Sequence, residues 1–186
     1  RSEMIEMLGG QPGGVEADRL IFTSGGTESN HLALLGLLLD GKRRPLGRGL
    51  VSAVEHPSIM GATDYLKQLG VDVDMLPVDQ NGVLQLDAFG KAINGSVRLV
   101  SVMTANNETG VVQPIRQIVE QCAEQSIVVH TDAVQAVGKM PAAFNNLGVD
   151  AMSLTAHKFH GPRGIGGLLV KHNLSLTPIV GGGFQQ

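Results

Sequence analysis

Residues 149–154 form an apolar run broken only by Asp150 and Ser153. A run this short, bounded by turn residues, reads as a buried β-strand. Its carboxyl end carries Thr155, His157 and Lys158 before Gly161-Pro162 turns the chain. Upstream, residues 127–129 make a second buried strand that ends in His130-Thr131-Asp132-Ala133, one β-α-β unit earlier. Buried strands joined through a helix specify an open α/β sheet, in which ligands bind at the carboxyl ends of the strands.

A lysine at that edge can form a Schiff base with an aldehyde, and pyridoxal phosphate is the aldehyde that makes such chemistry general. Its ring nitrogen needs an acidic partner, and Asp132 is placed to supply one. Each residue has a plainer reading: a lone lysine is a solvated surface charge, and an aspartate after a strand is a helix N-cap, here for Ala133 onward. Together, and in that order, they fit the cofactor.

The rest of the chain alternates in the same way. Residues 1–8 have the pattern of a short amphipathic helix and residues 9–14 that of a glycine-rich loop. A strand at 20–23 leads through Ser24-Gly25-Gly26-Thr27 into a helix over 27–40, whose open N–H groups and positive dipole end would face an anion. That segment reads either as a phosphate site or as a plain helix start capped by Ser24 or Thr27, and it lacks the spacing of a nucleotide P-loop. A strand at 50–54 runs into Glu55-His56-Pro57-Ser58. There Pro57 starts a helix, and the residue before it is extended, so the His56 ring is free to project.

Residues 71–76 read as a half-exposed strand, Asn81-Gly82 as a turn, 86–93 as a helix and 97–103 as a central strand ending at Asn106-Asn107. Pro114 opens a helix to about 125 with Ile115, Ile118, Val119 and Cys122 on one face, which makes Cys122 a buried small hydrophobe. Residues 164–170 are a glycine-rich approach to a further strand. His157 and His160 have no cysteine or third histidine to complete a metal site, so none is expected.

The 186 residues are 42% hydrophobic and 17% charged with a net charge of −3, as in an ordinary soluble domain that buries roughly 70% of its unfolded surface. No basic cluster exceeds Lys42-Arg43-Arg44, which gives no footprint for nucleic acid. The longest apolar run, 32–39, falls well short of the roughly 18 to 20 residues of a membrane span and reads as a buried helix. A single cysteine makes no internal disulfide, so a cytoplasmic setting is expected. The chain starts at Arg1 without a methionine and stops at Gln186, and it is read as a fragment: a cofactor-binding domain of a longer protein.

Several segments carry a resemblance. Thr23-Ser24-Gly25-Gly26-Thr27-Glu28-Ser29-Asn30, Glu55-His56-Pro57-Ser58, Ala105-Asn106-Asn107-Glu108-Thr109-Gly110, His130-Thr131-Asp132-Ala133-Val134-Gln135 and Ala156-His157-Lys158-Phe159-His160-Gly161-Pro162 stand in the order found in the cysteine desulfurases and the related selenocysteine lyases. These are class V, fold-type I pyridoxal phosphate enzymes. Gly181-Gly182-Gly183 resembles the start of a further segment.

The resemblance implies a three-layer α/β/α sandwich with a mostly parallel sheet, and pyridoxal 5'-phosphate as cofactor. It implies Lys158 as the lysine that bonds the cofactor, Asp132 on the ring nitrogen, and His56 over the ring face taking part in proton transfer. Gly26, Thr27, Thr155 and His157 would hold the phosphate, while Gln135 meets the phenolic oxygen and Asn107 lies near the ring and the substrate carboxylate. The family takes sulfur from L-cysteine as a persulfide on a nucleophilic cysteine, leaves L-alanine, works as a homodimer and passes sulfur to an acceptor protein for iron-sulfur cluster and other pathways. Its nucleophilic cysteine and its carboxylate-binding arginine lie beyond Gln186, so this chain is expected to bind cofactor with little or no desulfuration. The alternatives are a selenocysteine lyase or other class V lyase or aminotransferase, or an inactive dimerisation fragment.

Overall fold

The short apolar runs read as strands become strands of one sheet in the computed structural model, which describes residues 1–180; the glycine triplet 181–183 lies outside the described residues. The strands are β1 (Arg19–Thr23), β2 (Arg48–Ser52), β3 (Val73–Leu76), β4 (Val97–Ser101), β5 (Val128–Asp132), β6 (Ala151–Thr155) and β7 (Gly166–Val170), in the order β1-β7-β6-β5-β4-β2-β3. β3, β2, β4, β5 and β6 are parallel, β7 returns antiparallel to β6, and β1 is antiparallel to β7. Two reversals restore β1 to the direction of β6: Thr23 pairs with Gly166, which pairs with Thr155. The carboxyl ends of β1, β2, β4, β5 and β6 therefore share one edge.

The helices are α1 (Ser2–Met7), α2 (Gly26–Leu38), α3 (Pro57–Gln68), α4 (Leu86–Ala92), α5 (Ile115–Ala123) and α6 (Phe144–Leu147). Successive strand residues point to opposite faces, and the two apolar cores divide accordingly. Val51, Leu99, Val128 and Leu168 join the leucines of α2 together with Ile59, Ala62 and Leu66 of α3; Leu50, Val100, Val129 and Leu169 pack with Phe89 of α4, Ile118 and Cys122 of α5 and Phe144 of α6. The result is the expected three-layer α/β/α sandwich. Cys122 is fully buried, as its helical spacing predicts.

Helix α2 is buried along almost its whole length, which its leucine run allows and an amphipathic helix would not. Residues 174–179 cross its outer side: Thr177 N–H donates to the Gly36 carbonyl at 2.8 Å, and a Cβ at Gly36 would stand 2.8 Å from the Leu176 side chain. The helix stops two residues short of the expected Asp40. Leu39 is already extended, and the Asp40 carboxylate accepts from the Lys42 and Arg44 N–H groups at 2.8 Å, closing a turn that competes with further helix. Asp132 is followed by a run of turns over 134–139 instead of a helix, although Asp132 Oδ1 does accept from Val134 N–H at 3.0 Å.

Strand β7 meets the loop after β1 through a glycine. A Cβ at Gly166 would lie 2.6 Å from Gly25 Cα and 2.7 Å from Thr23 Oγ1. Gly166→Ala is therefore expected to push the two backbones apart and cost about 1–3 kcal/mol, read as a lower urea midpoint at unchanged slope.

Candidate active site

The shared strand edge gathers the chemistry in two connected groups. The first forms at the amino end of α2. Its capping position is Gly25, which has no side chain to satisfy the first helical N–H groups, and no side-chain cap is made. Ser24 does not cap the helix; its N–H and hydroxyl donate to Glu28 Oε2 at 2.7 and 2.6 Å, which holds the Glu28 carboxyl below the ordinary range. Of the two readings of this segment, the structure keeps the open helix end. Thr155, the last residue of β6, faces it: a Cβ on Gly25 would stand 3.8 Å from Thr155 Oγ1, and that hydroxyl lies 3.2 Å from His157 Nδ1. Gly26 approaches the chain after β5, where a Cβ would come within 2.8 Å of Val134 Cγ2. These glycines, Thr155 and His157 form a cradle with donors around it.

The second group is a buried hydrogen-bonded line from Asp132 to His56. Asp132 is 4% exposed at the end of β5, and its Oδ2 accepts from Asn30 Nδ2 of α2 at 2.7 Å. The same Nδ2 donates to Ser58 Oγ at 2.9 Å, and Ser58 Oγ lies 2.8 Å from His56 Nδ1. His56 also caps α3, accepting from Ser58 N–H at 3.1 Å. Burial raises the Asp132 carboxyl above its ordinary value, against hydrogen bonds from Val134 and Asn30 and the nearby His56, all of which lower it.

Three further residues face this edge from separate loops. Lys158 sits exposed in a 3-10 turn, Ala156–Phe159, and enters no ion pair among the described residues. Asn107 is exposed beyond β4, presented by Asn106, whose Nδ2 donates to the Val54 carbonyl at 2.9 Å and whose Oδ1 accepts from the Glu108 and Thr109 N–H groups. Gln135 is half-buried three residues after Asp132, and its Oε1 accepts from Lys139 Nζ at 2.5 Å. No hydrogen bond joins these three to the two groups among the described residues.

Sequence reasoning assigned no role to Glu55, Asn30, Ser58 or His130. Glu55 is buried and ties the end of β2 to that of β4, its Oε1 accepting from Met103 N–H at 2.6 Å and from Ser52 Oγ at 2.9 Å. Its other oxygen has no partner. Burial, followed by the Asp132 charge, pushes its carboxyl up to about 8, against the Met103 and Ser52 hydrogen bonds. His130, two residues before Asp132 on the same face, is fully buried between Ser101 Oγ and Ser153 Oγ, each 2.9 Å from a ring nitrogen. Burial pulls it down to about 3, so it is neutral. The signal for His130 was present as polar residues, Ser101, His130 and Ser153, at buried register positions of β4, β5 and β6.

The edge fits pyridoxal phosphate. Asp132 is a buried carboxylate with no cationic side chain hydrogen-bonded to it among the described residues, the donor-rich cradle suits a phosphate, and Lys158 offers an amine.

The aminotransferase class-V family matches residues 13–186. The chain belongs to that family. Class V aminotransferases and the desulfurases among them depend on pyridoxal phosphate, which agrees with the fit of the edge. The chain is 40% identical over 175 residues to the cysteine desulfurase IscS of Dictyoglomus turgidum, covering 93% of this chain and 44% of that protein. It is 43% identical over 189 residues to a cysteine desulfurase of Cereibacter sphaeroides, covering all of this chain and 47% of that one. Among solved structures, a NifS-like protein superposes with a TM-score of 0.88 at 33% identity, over 98% of this chain and 49% of that one. The structure of SspA in complex with cysteine gives 0.87 at 34% identity, over 99% and 52%. The chain thus spans about half the length of the relatives it matches. No helix among the described residues is long and apolar enough to cross a membrane.

The buried acid of this class-V edge sets a pH dependence. Glu55 retains its proton in the folded chain from its ordinary value of 4.5 up to about 8, whereas the unfolded chain releases it near 4.5. Between those values the folded state binds more protons, so Glu55 makes stability fall as pH rises. His130 acts oppositely, between about 3 and its ordinary 6.5, because the unfolded chain binds the extra proton there. Between about 4.5 and 6.5 the two effects oppose each other, so Glu55→Gln is expected to remove the decline in urea stability between pH 6.5 and 8 and to uncover a rise with pH between 4.5 and 6.5.

Proposed function

We propose that this chain is the pyridoxal phosphate-binding large domain of a cytoplasmic, homodimeric cysteine desulfurase. The complete enzyme takes sulfur from L-cysteine as a persulfide on an enzyme cysteine, leaves L-alanine, and hands the sulfur to an acceptor protein. The observation that carries this reading is the buried Asp132 carboxylate on the same strand edge as Lys158 and the glycine-capped end of α2. The similarity to desulfurases along nearly the whole chain narrows the reaction within class V.

When bound, the cofactor supplies an electron sink for the substrate carbon. The chain's residues do the rest. Gly26 and Thr27 would hold the phosphate at the open helix end, with Thr155 and His157 on its other side. Asp132 would hold the ring nitrogen protonated, a cationic partner that would offset the cost of burying its carboxylate. Gln135 and Asn107 would orient the ring, His56 would cover it and could exchange a proton, and Lys158 would supply the amine that holds the cofactor.

Cys122 is not the sulfur acceptor. It is fully buried on α5, and burial, with the Asp150 charge adding, pushes its thiol up to about 12, so it holds no nucleophilic thiolate at neutral pH. The reacting cysteine belongs to the part of the relatives that this chain does not span.

With pyridoxal phosphate added, the purified chain is expected to turn yellow with an absorbance band that borohydride discharges. Lys158→Ala abolishes the band, and Asp132→Ala weakens cofactor binding at least tenfold in a fluorescence titration. A chain that stays colourless, or a band that survives Lys158→Ala, would overturn the assignment. A clean dimer that stays colourless would indicate an inactive dimerisation module.

A further inference from the structure

We propose that Asn30 is a positioning residue that fixes the protonation geometry of His56, acting through Ser58 from the Asp132 carboxylate. The functional weight of this inference rests on the role proposed above for His56; the geometry stands without it. The Asn30 amide nitrogen has two hydrogens, and both are engaged. Nδ2 donates to Asp132 Oδ2 at 2.7 Å and to Ser58 Oγ at 2.9 Å. A hydroxyl that accepts from an amide keeps its own hydrogen to give, and His56 Nδ1 lies 2.8 Å from Ser58 Oγ. The Ser58 backbone N–H donates to the same ring nitrogen at 3.1 Å. A ring nitrogen that accepts carries no proton in a neutral imidazole, so the His56 proton resides on Nε2.

Each link has one direction. The carboxylate accepts, the amide gives twice, the hydroxyl passes the polarity on, and Nδ1 receives it. The amide orientation is set by the acid: Asn30 Oδ1 is buried and has no partner. Turning the amide over would set that oxygen against Asp132 Oδ2 and remove the donor from Ser58. A buried acceptor is left unpaired only where the alternative is worse, and here the alternative sets the amide oxygen against a carboxyl oxygen and leaves Ser58 Oγ without its donor. The ring-nitrogen partner and the histidine over the ring are thus joined by a single relay. It leaves His56 Nε2–H as the group free to exchange a proton.

The test is the 15N spectrum of the His56 ring, recorded on the chain without cofactor for the original, Ser58→Ala, Asn30→Ala and the double variant. The original is expected in a single Nε2–H form. Ser58→Ala removes one of the two donors to Nδ1 and should raise the share of the Nδ1–H form several-fold. Asn30→Ala should move it the same way, and the double variant should add nothing to Ser58→Ala, because Asn30 acts through Ser58. An Nδ1–H form in the original chain, an unchanged share in Ser58→Ala, or an Asn30→Ala effect that persists in the Ser58→Ala background would each overturn the relay. If Asn30→Ala does not fold, Ser58→Thr decides: restoring the hydroxyl must restore the Nε2–H form, and failure overturns the inference. Absence of pyridoxal phosphate binding in a chain with the expected His56 spectrum would sink the cofactor reading alone.

Discussion

A carboxylate buried beneath a leucine-rich helix is the constraint on which the site depends. Asp132 ends the central strand of the sheet, and α2 lies across the face to which its side chain points. Removing a charge from water is costly unless hydrogen bonds or an opposite charge replace it. Val134 N–H and Asn30 Nδ2 supply the hydrogen bonds, and the opposite charge is what the proposed pyridinium would bring. The polar residues around it follow from that need. Asn30 interrupts the apolar surface of α2 where the acid lies, while Ser101, His130 and Ser153 pair with one another on the same face of the sheet instead of with it.

A second constraint is the reversal of two strands at one side of the sheet. Had β7 continued the parallel order, β1 would have come to lie with its carboxyl end away from Asp132 and Lys158. The antiparallel return through β7 brings Thr23 level with Thr155, and the glycines at 25 and 166 let the two backbones touch. The cradle proposed for the phosphate is therefore a product of topology as much as of sequence motif.

Much of this was legible in the residues. Short apolar runs bounded by glycine, proline and asparagine announced the strands, and the order of Asp132 and Lys158 at successive strand ends announced the edge. The reversal of β7 and β1 was not legible, because pairing direction leaves no mark on an apolar pentamer such as residues 166–170. Helix ends were missed where a side chain competed with the backbone, as Asp40 does. Ser24 read as a cap because serine caps helices well; that its hydroxyl turns to Glu28 depends on a contact one helical turn away. The roles of Asn30, Ser58 and Glu55 were hidden for another reason. Each is an ordinary helix-start or loop residue in sequence, and acquires meaning only when α2 and α3 meet over the sheet.

The pairing of Thr23, Gly166 and Thr155 also bears on how the molecule comes together. Asp132 ends β5 and Lys158 follows the adjacent β6, consecutive strands in the chain, so their half of the edge can form early. The helix end proposed to receive the phosphate comes from near the start of the chain and reaches its place only when the last strand has turned back to meet it. Contacts of such long range are the slow ones in folding. A ligand that grips both halves at once would hold the chain's first strand to its last, making cofactor capture a marker that the sheet has closed in its full order.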